Sequence, residues 1–347
     1  MFKDKIEIDG REIGRSARPY IIAEMSANHG QSLQNAKDII YAAKEAGADA
    51  VKIQTYTADT LTLNCKDKAF EAKGAWKGQY LYDLYETGSM PWEWLPELTA
   101  EAKKTGITLF STPFDKSSVA LLEAHATPAY KIASPEIIDL SLIREVAKNR
   151  KPIILSTGGA TLAQINDAVA VIKAEGVDQL VLLKCTSEYP APYKKINLRT
   201  MFHLADAFKC PVGLSDHTMG SEVPIASVAL GAVVIEKHFI LDRREQTPDS
   251  FFSATPDELR AIVIGANNVY EALGEIDYPI IPNPAQRSLI AISDVSQGER
   301  LIEGVNYRSL RPGGGIEPKY KELVEGRLAV RAIKRGEFLQ WNLLGAL

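Results

Sequence analysis

The chain has few cysteines, and none of them belongs to a metal or redox motif. Three occur among 347 residues, at Cys65, Cys185 and Cys210, and no two form a CxxC pair. Disulfide-stapled secreted domains and zinc knuckles need more cysteines or closer spacing. We therefore expect three free thiols in a reducing compartment.

The chain also lacks an excess of positive charge and a long apolar segment. Its 40 Lys and Arg residues against 44 Asp and Glu give a formal net charge of −4, which argues against nucleic acid or a membrane surface as a main partner. The longest apolar run, residues 223–235, is too short to cross a bilayer and is interrupted by Ser227 and Gly231. The first twenty residues contain no apolar stretch typical of a signal peptide. We expect a cytoplasmic protein without a membrane partner.

Common nucleotide and acyl-enzyme motifs are missing as well. The sequence contains no GxGxxG, Walker or nucleophile-elbow pattern, so nucleotide binding and serine-based acyl transfer are poorly supported. What is present is ordinary globular composition. The 46% of hydrophobic residues allow a large core, and the length favours one large domain followed by a small one.

Two segments place histidines after buried strands. Residues 211–217 (Pro-Val-Gly-Leu-Ser-Asp-His) and 233–239 (Val-Val-Ile-Glu-Lys-His-Phe) are apolar runs that end in polar side chains, with a predicted helix at 220–230 between them. A right-handed crossover makes such strands parallel, so His217 and His238 should lie side by side. Two imidazoles there can bind a divalent metal whose remaining positions take water or a substrate oxygen. Each histidine can alternatively be a hydrogen-bonded structural residue.

Six further buried strands precede this pair and alternate with helices. The strands are predicted at 20–26, 50–54, 107–110, 129–134, 152–158 and 180–187, and the helices at 33–46, 92–105, 140–148, 162–175 and 256–273. Eight βα units at regular spacing predict an α/β fold of the (β/α)₈ TIM-barrel type rather than an open sheet. A hairpin at 6–13 should form a lid-like ribbon, and residues 55–91 should form a long functional loop.

All eight predicted strands end in polar side chains, on what would be one rim of the barrel. These side chains are Glu24, Lys52, Gln54, Thr112, Lys131, Ser134, Ser156, Ser187, Ser215, His217 and His238. Two lysines with several hydroxyls suit a phosphate and a carboxylate, and a metal beside such an anion site suits the polarisation of a carbonyl group. Any single serine of this set can equally serve as a turn or cap residue. Together they indicate an active site.

A linker and a small domain follow the barrel. Residues 274–287 contain Pro279, Pro282 and Pro284, which predicts a linker between a barrel domain at 1–273 and a domain of short strands at 288–347. Residues 297–301 (Gln-Gly-Glu-Arg-Leu) are echoed by 335–339 (Arg-Gly-Glu-Phe-Leu), so the small domain looks internally duplicated. Between the echoes, a Pro-Gly-Gly-Gly loop presents Arg311.

Six motifs make the sequence similar to the sialic acid synthase family over essentially the whole chain. They are residues 22–29 (Ile-Ala-Glu-Met-Ser-Ala-Asn-His), 48–54 (Ala-Asp-Ala-Val-Lys-Ile-Gln), 130–134 (Tyr-Lys-Ile-Ala-Ser), 213–217 (Gly-Leu-Ser-Asp-His), 236–238 (Glu-Lys-His) and 311–313 (Arg-Pro-Gly). In that family a TIM barrel is joined to a small C-terminal antifreeze-like (SAF) β-rich domain. The resemblance therefore implies a transferase that condenses phosphoenolpyruvate with an acetamido sugar.

Further segments resemble one branch of the family, which acts on 2,4-diacetamido-2,4,6-trideoxy-altrose and releases phosphate. They are residues 61–64, 81–86, 185–190 and 249–253. Ser187 stands where synthases acting on N-acetylmannosamine usually have asparagine, and Phe251 and Phe252 could pack on a 6-deoxy methyl group. The alternatives are a synthase of N-acetylneuraminate or legionaminic acid, another phosphoenolpyruvate-dependent sugar acid synthase or aldolase, and a non-catalytic protein that binds the sugar or phosphoenolpyruvate.

The resemblance also implies roles for individual residues. Phosphoenolpyruvate would be bound by Lys52, Thr112, Lys131, Ser134, Ser156, Ser187 and Ser215, and the sugar by Glu24, Gln54, Tyr189, Glu236, Asp249 and Arg311. His217 and His238 would be catalytic through a bound divalent metal, with Mn²⁺ favoured and Mg²⁺ or Co²⁺ as alternatives. Glu24 would be the third catalytic residue, transferring protons beside the metal. His29, His125 and His203 are expected to be structural.

The position of Arg311 predicts a homodimer with exchanged small domains. The last barrel helix runs away from the catalytic rim, so the small domain begins at the opposite face of its own barrel. Residues 274–287 span at most about 46 Å and would have to be nearly taut to return to the rim. A neighbouring barrel packed head to tail is easier to reach, and the family resemblance implies the same exchange.

Overall fold

Eight parallel strands form a closed barrel in the larger part of the chain. The structure is a computed structural model and describes residues 2–278 and 283–347. A hairpin of β1 (Lys5–Ile8) and β2 (Arg11–Gly14) comes first. The barrel strands are β3 (Tyr20–Glu24), β4 (Ala50–Thr55), β5 (Thr108–Pro113), β6 (Tyr130–Ile132), β7 (Ile153–Ser156), β8 (Leu180–Cys185), β9 (Val212–Asp216) and β10 (Ala232–His238). Neighbouring strands pair in chain order and β10 closes on β3, so the predicted (β/α)₈ barrel is confirmed.

Helices connect the strands around the outside of the barrel. They are α1 (Leu33–Glu45), α2 (Ala58–Leu61), α3 (Leu81–Gly88), α4 (Leu95–Thr105), α5 (Lys116–Ala124), α6 (Leu140–Ala147), α7 (Leu162–Ala174), α8 (Thr200–Phe208), α9 (Glu222–Ala229) and α10 (Pro256–Leu273). Several begin at side chains that accept hydrogen bonds from the first free backbone N–H groups, as Ser32, Asp115 and Thr161 do. None of the described helices is both long and apolar enough to cross a membrane.

The N-terminal hairpin forms the predicted lid-like ribbon and covers the amino end of the barrel. Ile6, Ile8 and Ile13 are buried in one cluster with residues from the starts of the barrel strands, such as Tyr20 and Ala129. The alternating isoleucines give the hairpin one apolar face. That face covers the end of the barrel opposite to the predicted site.

The segment predicted as a long loop contains two short helices, α2 and α3. Residues 81–88 follow the helical spacing, with Leu81, Leu84 and Tyr85 on one side and Gly88 at the end. Helix α2 begins at a capping box, in which Thr57 and Thr60 each satisfy a backbone N–H of the other. The Thr- and Lys-rich stretches around these helices obscure both patterns.

The second unit of the chain, Glu275–Leu347, has its own small core and is described by itself. It contains the antiparallel strands β11 (Ser288–Ala291) and β12 (Tyr307–Leu310) and the short helix α11 (Lys321–Val324). Of the predicted linker, residues 279–282 lie outside the described residues.

The two sequence echoes of this unit form matching turns. Glu299 accepts a hydrogen bond from the backbone N–H of Ser296 at 2.8 Å, and Glu337 accepts one from Lys334 at 3.0 Å. The glycines before these glutamates, Gly298 and Gly336, have φ of 78° and 89°, a left-handed conformation that favours glycine. The repeated Gly-Glu pair therefore specifies the same turn twice.

Candidate active site

The strand register brings the predicted rim residues into one cluster. Glu24 pairs with Lys52 on one side and with His238 on the other, because β3 lies between β4 and β10. Glu236 pairs with Ser215 of β9. Strand side chains alternate, so residues two apart point the same way. The last strand of the barrel and the first therefore contribute to the same site.

Two lysines and two glutamates form a buried charged network at this rim. Lys52 contacts Glu24, lies 3.7 Å from Glu236, and donates a hydrogen bond to Thr112 Oγ1 at 3.0 Å. Lys131 lies 3.9 Å from Glu236 Oε1. All five side chains are buried. Charges removed from water need such partners to remain ionised.

The pKa values of the two carboxyl groups of the network shift in opposite directions. Burial disfavours the charge of Glu236, but Lys131 and Lys52 outweigh it and lower the pKa of Glu236 to about 2. Burial raises the pKa of Glu24 despite the contact with Lys52, and burial lowers the pKa of Lys131. Glu236 is therefore the permanent anion of the network, and Glu24 is the carboxyl group suited to hold a proton.

Hydroxyl groups and a glycine complete the anion-binding character of the rim. Ser215 donates a hydrogen bond to Glu236 at 2.9 Å, and the backbone N–H of Gly158 donates one to Ser134 Oγ at 2.9 Å. A Cβ at Gly158 would lie 2.5 Å from Ser187 Oγ, so this glycine permits a close approach of three elements. Ser156 Oγ is buried without a hydrogen-bond partner, which leaves it available to a ligand.

The two predicted metal ligands are adjacent, with ring centroids 5.3 Å apart. His217 Nδ1 lies 2.9 Å from the carbonyl oxygen of Thr186. A carbonyl only accepts, so Nδ1 donates, and in the neutral imidazole Nε2 keeps its lone pair for a ligand. His238 Nδ1 is buried without a hydrogen bond and lies 3.5 Å from Asp249 Oδ2. Burial opposes the negative charge of Asp249, but His238 outweighs it and lowers the pKa of that carboxyl.

This donor set fits an open metal site rather than a closed structural one. Oxygen atoms that orient ligating imidazoles, as those of Thr186 and Asp249 do here, are typical of histidine metal sites. Among the described residues, no three His, Cys, Asp or Glu side chains are grouped to hold a metal by themselves. Water and substrate oxygens would have to complete the coordination of His217 and His238.

A second ion pair joins the same two strands on their outer face. Lys237 and Asp216 are paired in the register of β9 and β10, and Lys237 Nζ donates to Asp216 Oδ2 at 2.6 Å. Both side chains are buried. Because they alternate with His238 and His217, the pair fixes the register that sets the two imidazoles side by side.

A cavity of about 380 Å³ opens beside this cluster, within the range of small-molecule sites. Four predicted residues, Gln54, Tyr189, His238 and Asp249, line it. Although residues 61–64 and 81–86 stand out by their resemblance, no site role is predicted from sequence for the other lining residues, among them Glu136, Tyr56, Trp76, Leu61, Leu81, Leu84 and Tyr85. Most of these belong to the segment of α2 and α3. The apolar spacing of residues 81–85 was the signal that could have identified them.

Aromatic rings support the histidines from the cavity side. Tyr189 packs on His217 with ring centroids 4.3 Å apart, and Phe252 packs on His238 at 4.8 Å. Phe252 is fully buried and neither it nor Phe251 lines the cavity. Phe252 packs against the imidazole of His238, and the expected contact of this phenylalanine pair with a sugar methyl group stays a prediction.

Arg311 lies in the second unit of the chain, where its side chain is exposed. The contribution of Arg311 to a site on a barrel stays a prediction. The same applies to the homodimer with exchanged domains.

Comparison with known proteins agrees with the site. The NeuB family model matches residues 39–278, and the SAF domain model matches residues 286–345. The chain is 43% identical to a pseudaminic acid synthase of Helicobacter pylori, over 91% of this chain and 95% of the relative. It is 37% identical to an N,N'-diacetyllegionaminic acid synthase of Campylobacter jejuni, over 92% and 98%.

A solved structure of a related synthase supports the same family. The N-acetylneuraminic acid synthetase of Leptospira borgpetersenii, in complex with citrate, matches with a TM-score of 0.72 and 30% identity, over 80% of this chain and 92% of the other. A parallel barrel with an ionisable rim, followed by a SAF domain, thus defines an enzyme of the synthase class. The chain belongs to the NeuB family, and the predicted membership of the sialic acid synthases is confirmed.

Proposed function

We propose that the protein condenses phosphoenolpyruvate with 2,4-diacetamido-2,4,6-trideoxy-L-altrose to give pseudaminic acid and phosphate. The observation that carries the proposal is the identity of 43% to a pseudaminic acid synthase over 91% of the chain, against 37% to a legionaminic acid synthase. Ser187, which replaces the asparagine usual in synthases acting on N-acetylmannosamine, supports the same choice.

Phosphoenolpyruvate is assigned to the buried lysines and to the hydroxyl groups near Gly158. Lys52 and Lys131 carry the positive charge that its phosphate and carboxylate require. The unpaired hydroxyl of Ser156 and those of Ser134 and Ser187 around Gly158 supply donors to the remaining oxygens. The contacts of Thr112 with Lys52 and of Ser215 with Glu236 support their predicted place in the same subsite.

His217 and His238 are assigned to a divalent metal, and Mn²⁺ is favoured because nitrogen donors suit softer ions than an all-oxygen site does. Bound there, such an ion polarises a carbonyl group and stabilises negative charge on its oxygen. Thr186 and Asp249 orient the two imidazoles toward this task. Gln54 and Tyr189 line the same cavity and position the sugar.

The reaction joins C3 of phosphoenolpyruvate to the aldehyde carbon of the open-chain sugar. The aldehyde oxygen takes up a proton and becomes a hydroxyl group, and water adds to C2 and loses a proton. The tetrahedral intermediate then breaks the bond between C2 and the phosphate oxygen, phosphate leaves with the electron pair, and the new hydroxyl group at C2 loses its proton to become the keto group. Glu24, whose pKa is raised by burial, is the carboxyl group assigned to donate a proton toward the aldehyde oxygen.

Phosphate release with a panel of sugars tests the substrate assignment. The panel is the diacetamido altrose, its manno-configured isomer, which would lead to legionaminic acid, and N-acetylmannosamine, each with phosphoenolpyruvate. We expect kcat/KM for the altrose sugar to exceed both others by at least about tenfold. Equal or higher values for either competitor would contradict the proposed sugar and leave the family membership intact.

Removal of the metal tests the role of the histidines. After exhaustive chelation we expect less than about 1% of the activity, restored by Mn²⁺, because the aldehyde carbon is a weak electrophile without a Lewis acid. Titration of Mn²⁺ followed by its electron paramagnetic resonance signal should give one site per chain, which His217→Ala abolishes. Full activity of the chelated enzyme would sink the assignment.

A further inference from the structure

Helix α3 directs its apolar face at the cavity rather than at the protein core. Leu81, Leu84 and Tyr85 follow the i, i+3, i+4 spacing of one helix face, line the cavity and are only partly buried. The other face carries the exposed acids Asp83 and Glu86. Apolar side chains gain stability when they leave water, so a half-buried apolar face beside a cavity is suited to an apolar ligand group.

The wall formed by α3 is fixed to the barrel rim. Gly88 ends the helix so close to the rim that a Cβ there would lie 2.9 Å from Tyr56 Oη and 3.3 Å from Ala27 Cβ. Gln31 Nε2 donates a hydrogen bond to the carbonyl oxygen of Thr87 at 2.8 Å. Helix α3 therefore presents a fixed surface to a bound ligand.

The far end of the segment is anchored to the opposite side of the cavity. Trp76 donates a hydrogen bond from its indole N–H to the carbonyl oxygen of Pro248 at 2.9 Å. Its ring packs on Tyr189 with centroids 5.3 Å apart. The segment thus crosses the cavity from the loop after β4 to the loop after β10.

The barrel also contributes polar side chains to the lining of the cavity. Gln54, Glu136, His238 and Asp249 line it, and Glu136 Oε2 is buried there without a hydrogen-bond partner. A ligand that fits between the two sides has one polar and one apolar surface. The diacetamido altrose has two acetamido methyl groups and a methyl group at C6, whereas N-acetylmannosamine has hydroxyl groups at C4 and C6.

We propose that α3 is the wall that selects sugars with apolar substituents, with Leu81, Leu84 and Tyr85 contacting the methyl groups of the second acetamido group and of C6. This inference rests on the proposed function and adds the part of the chain that chooses the sugar. The polar rim then binds the groups that all candidate sugars share, and α3 contacts the substituents by which they differ.

The test exchanges apolar for polar side chains of similar size on α3 and measures kcat/KM for both sugars. In Leu84→Asn and Leu81→Asn we expect kcat/KM for the diacetamido sugar to fall by about tenfold or more, since one methyl contact in an apolar pocket is worth roughly 10- to 200-fold. For N-acetylmannosamine the change should stay below about threefold. KM for phosphoenolpyruvate should not change.

Two matched variants separate selectivity from folding. Leu63→Asn alters a leucine of the same segment that is 67% exposed and does not line the cavity, and it should leave both sugars unaffected. Leu84→Met keeps the apolar contact and should keep the preference. Thermal unfolding of each variant checks that it is folded.

The possible failures are distinct. If the unmodified enzyme prefers N-acetylmannosamine, both the proposed function and this inference are overturned. If it prefers the diacetamido sugar and both Asn variants lose kcat/KM equally for the two sugars, or lose none, only the role of α3 is overturned.

Discussion

The two sides of the cavity are built in opposite ways. On the barrel side, charges such as Lys52 and Glu236 are buried, paired across strands and fixed by the register of a closed sheet. On the other side, α3 offers half-buried apolar groups from a single short helix inserted after β4. A change in a paired strand residue leaves its partner unpaired, whereas a change on α3 alters only a surface. The comparison agrees with the proposal that the chemistry takes place in the barrel and that the insertion selects the sugar.

The largest expected effect is that of Glu236→Gln. The substitution removes the carboxylate that Lys52 and Lys131 share, so Lys131 loses its carboxylate partner and Lys52 keeps only Glu24. We expect kcat/KM to fall by roughly 10²- to 10³-fold, and equally for both sugars, as measured by phosphate release. Glu7→Gln, on the exposed face of the N-terminal hairpin, is the control and should behave as the unmodified enzyme. A loss confined to one sugar would break the division between the two sides.

Mixed dimers test whether the small domain contributes Arg311 to the polar side of the site. Dimers containing one Arg311→Ala chain and one His217→Ala chain have one intact site if small domains are exchanged, and none if each serves its own barrel. Exchange predicts roughly half the activity of the unmodified dimer, since one of two equivalent sites is rebuilt. Pure dimers of either variant are the controls. Mixed dimers as inactive as these would show that the exchange is wrong.

Gly158→Ala should weaken the binding of phosphoenolpyruvate and leave the preference between the sugars unchanged. The added Cβ would collide with Ser187 Oγ and with Ser134 Oγ, which lies 2.8 Å from it, and displace the hydroxyls of the anion site. We expect KM for phosphoenolpyruvate to rise by about tenfold to a hundredfold, with an unchanged ratio of kcat/KM between the sugars. Steady-state kinetics with each substrate varied in turn measures both. A changed sugar ratio would mean that the two sides are not independent.

The last effect concerns stability rather than activity, and it arises at His29, which is buried and packs on Trp94. Burial lowers the pKa of His29 to about 4, so the unfolded chain binds a proton there before the folded one does. Stability should fall as pH drops from about 6.5 to 4, by up to about 3 kcal/mol from this residue. Urea unfolding at several pH values should show a smaller loss for His29→Gln. Identical pH dependence of variant and unmodified protein would contradict this.

The barrel and its rim could be read from the sequence because both follow from strand periodicity. Apolar runs ending in Glu24, Lys131 or His238 identify strands, and parallel strands place their ends together. The pairing of Glu236 with both lysines could not be read, because it depends on side-chain directions inside the closed barrel. The sequence also could not show what each apolar face covers.

Two segments show why the sequence does not predict what an apolar face covers. The alternation of Ile6, Ile8 and Ile13 predicts a hairpin with one buried face, but not the end of the barrel that it closes. Leu81 and Leu84 have helical spacing inside a segment predicted as a loop, and a helix face turned to a cavity looks the same in sequence as a face turned to the core.

Closure of the barrel has a consequence for the nascent chain. Glu24 and His238 meet because the first barrel strand pairs with the last, and about 210 residues separate them. At ordinary rates of translation, β3 leaves the ribosome roughly 10 to 40 s before its partner. For that time its edge is unpaired and the two imidazoles have not been brought together. Catalytic competence therefore arrives in one late step, and a prematurely terminated chain that lacks β10 is inert.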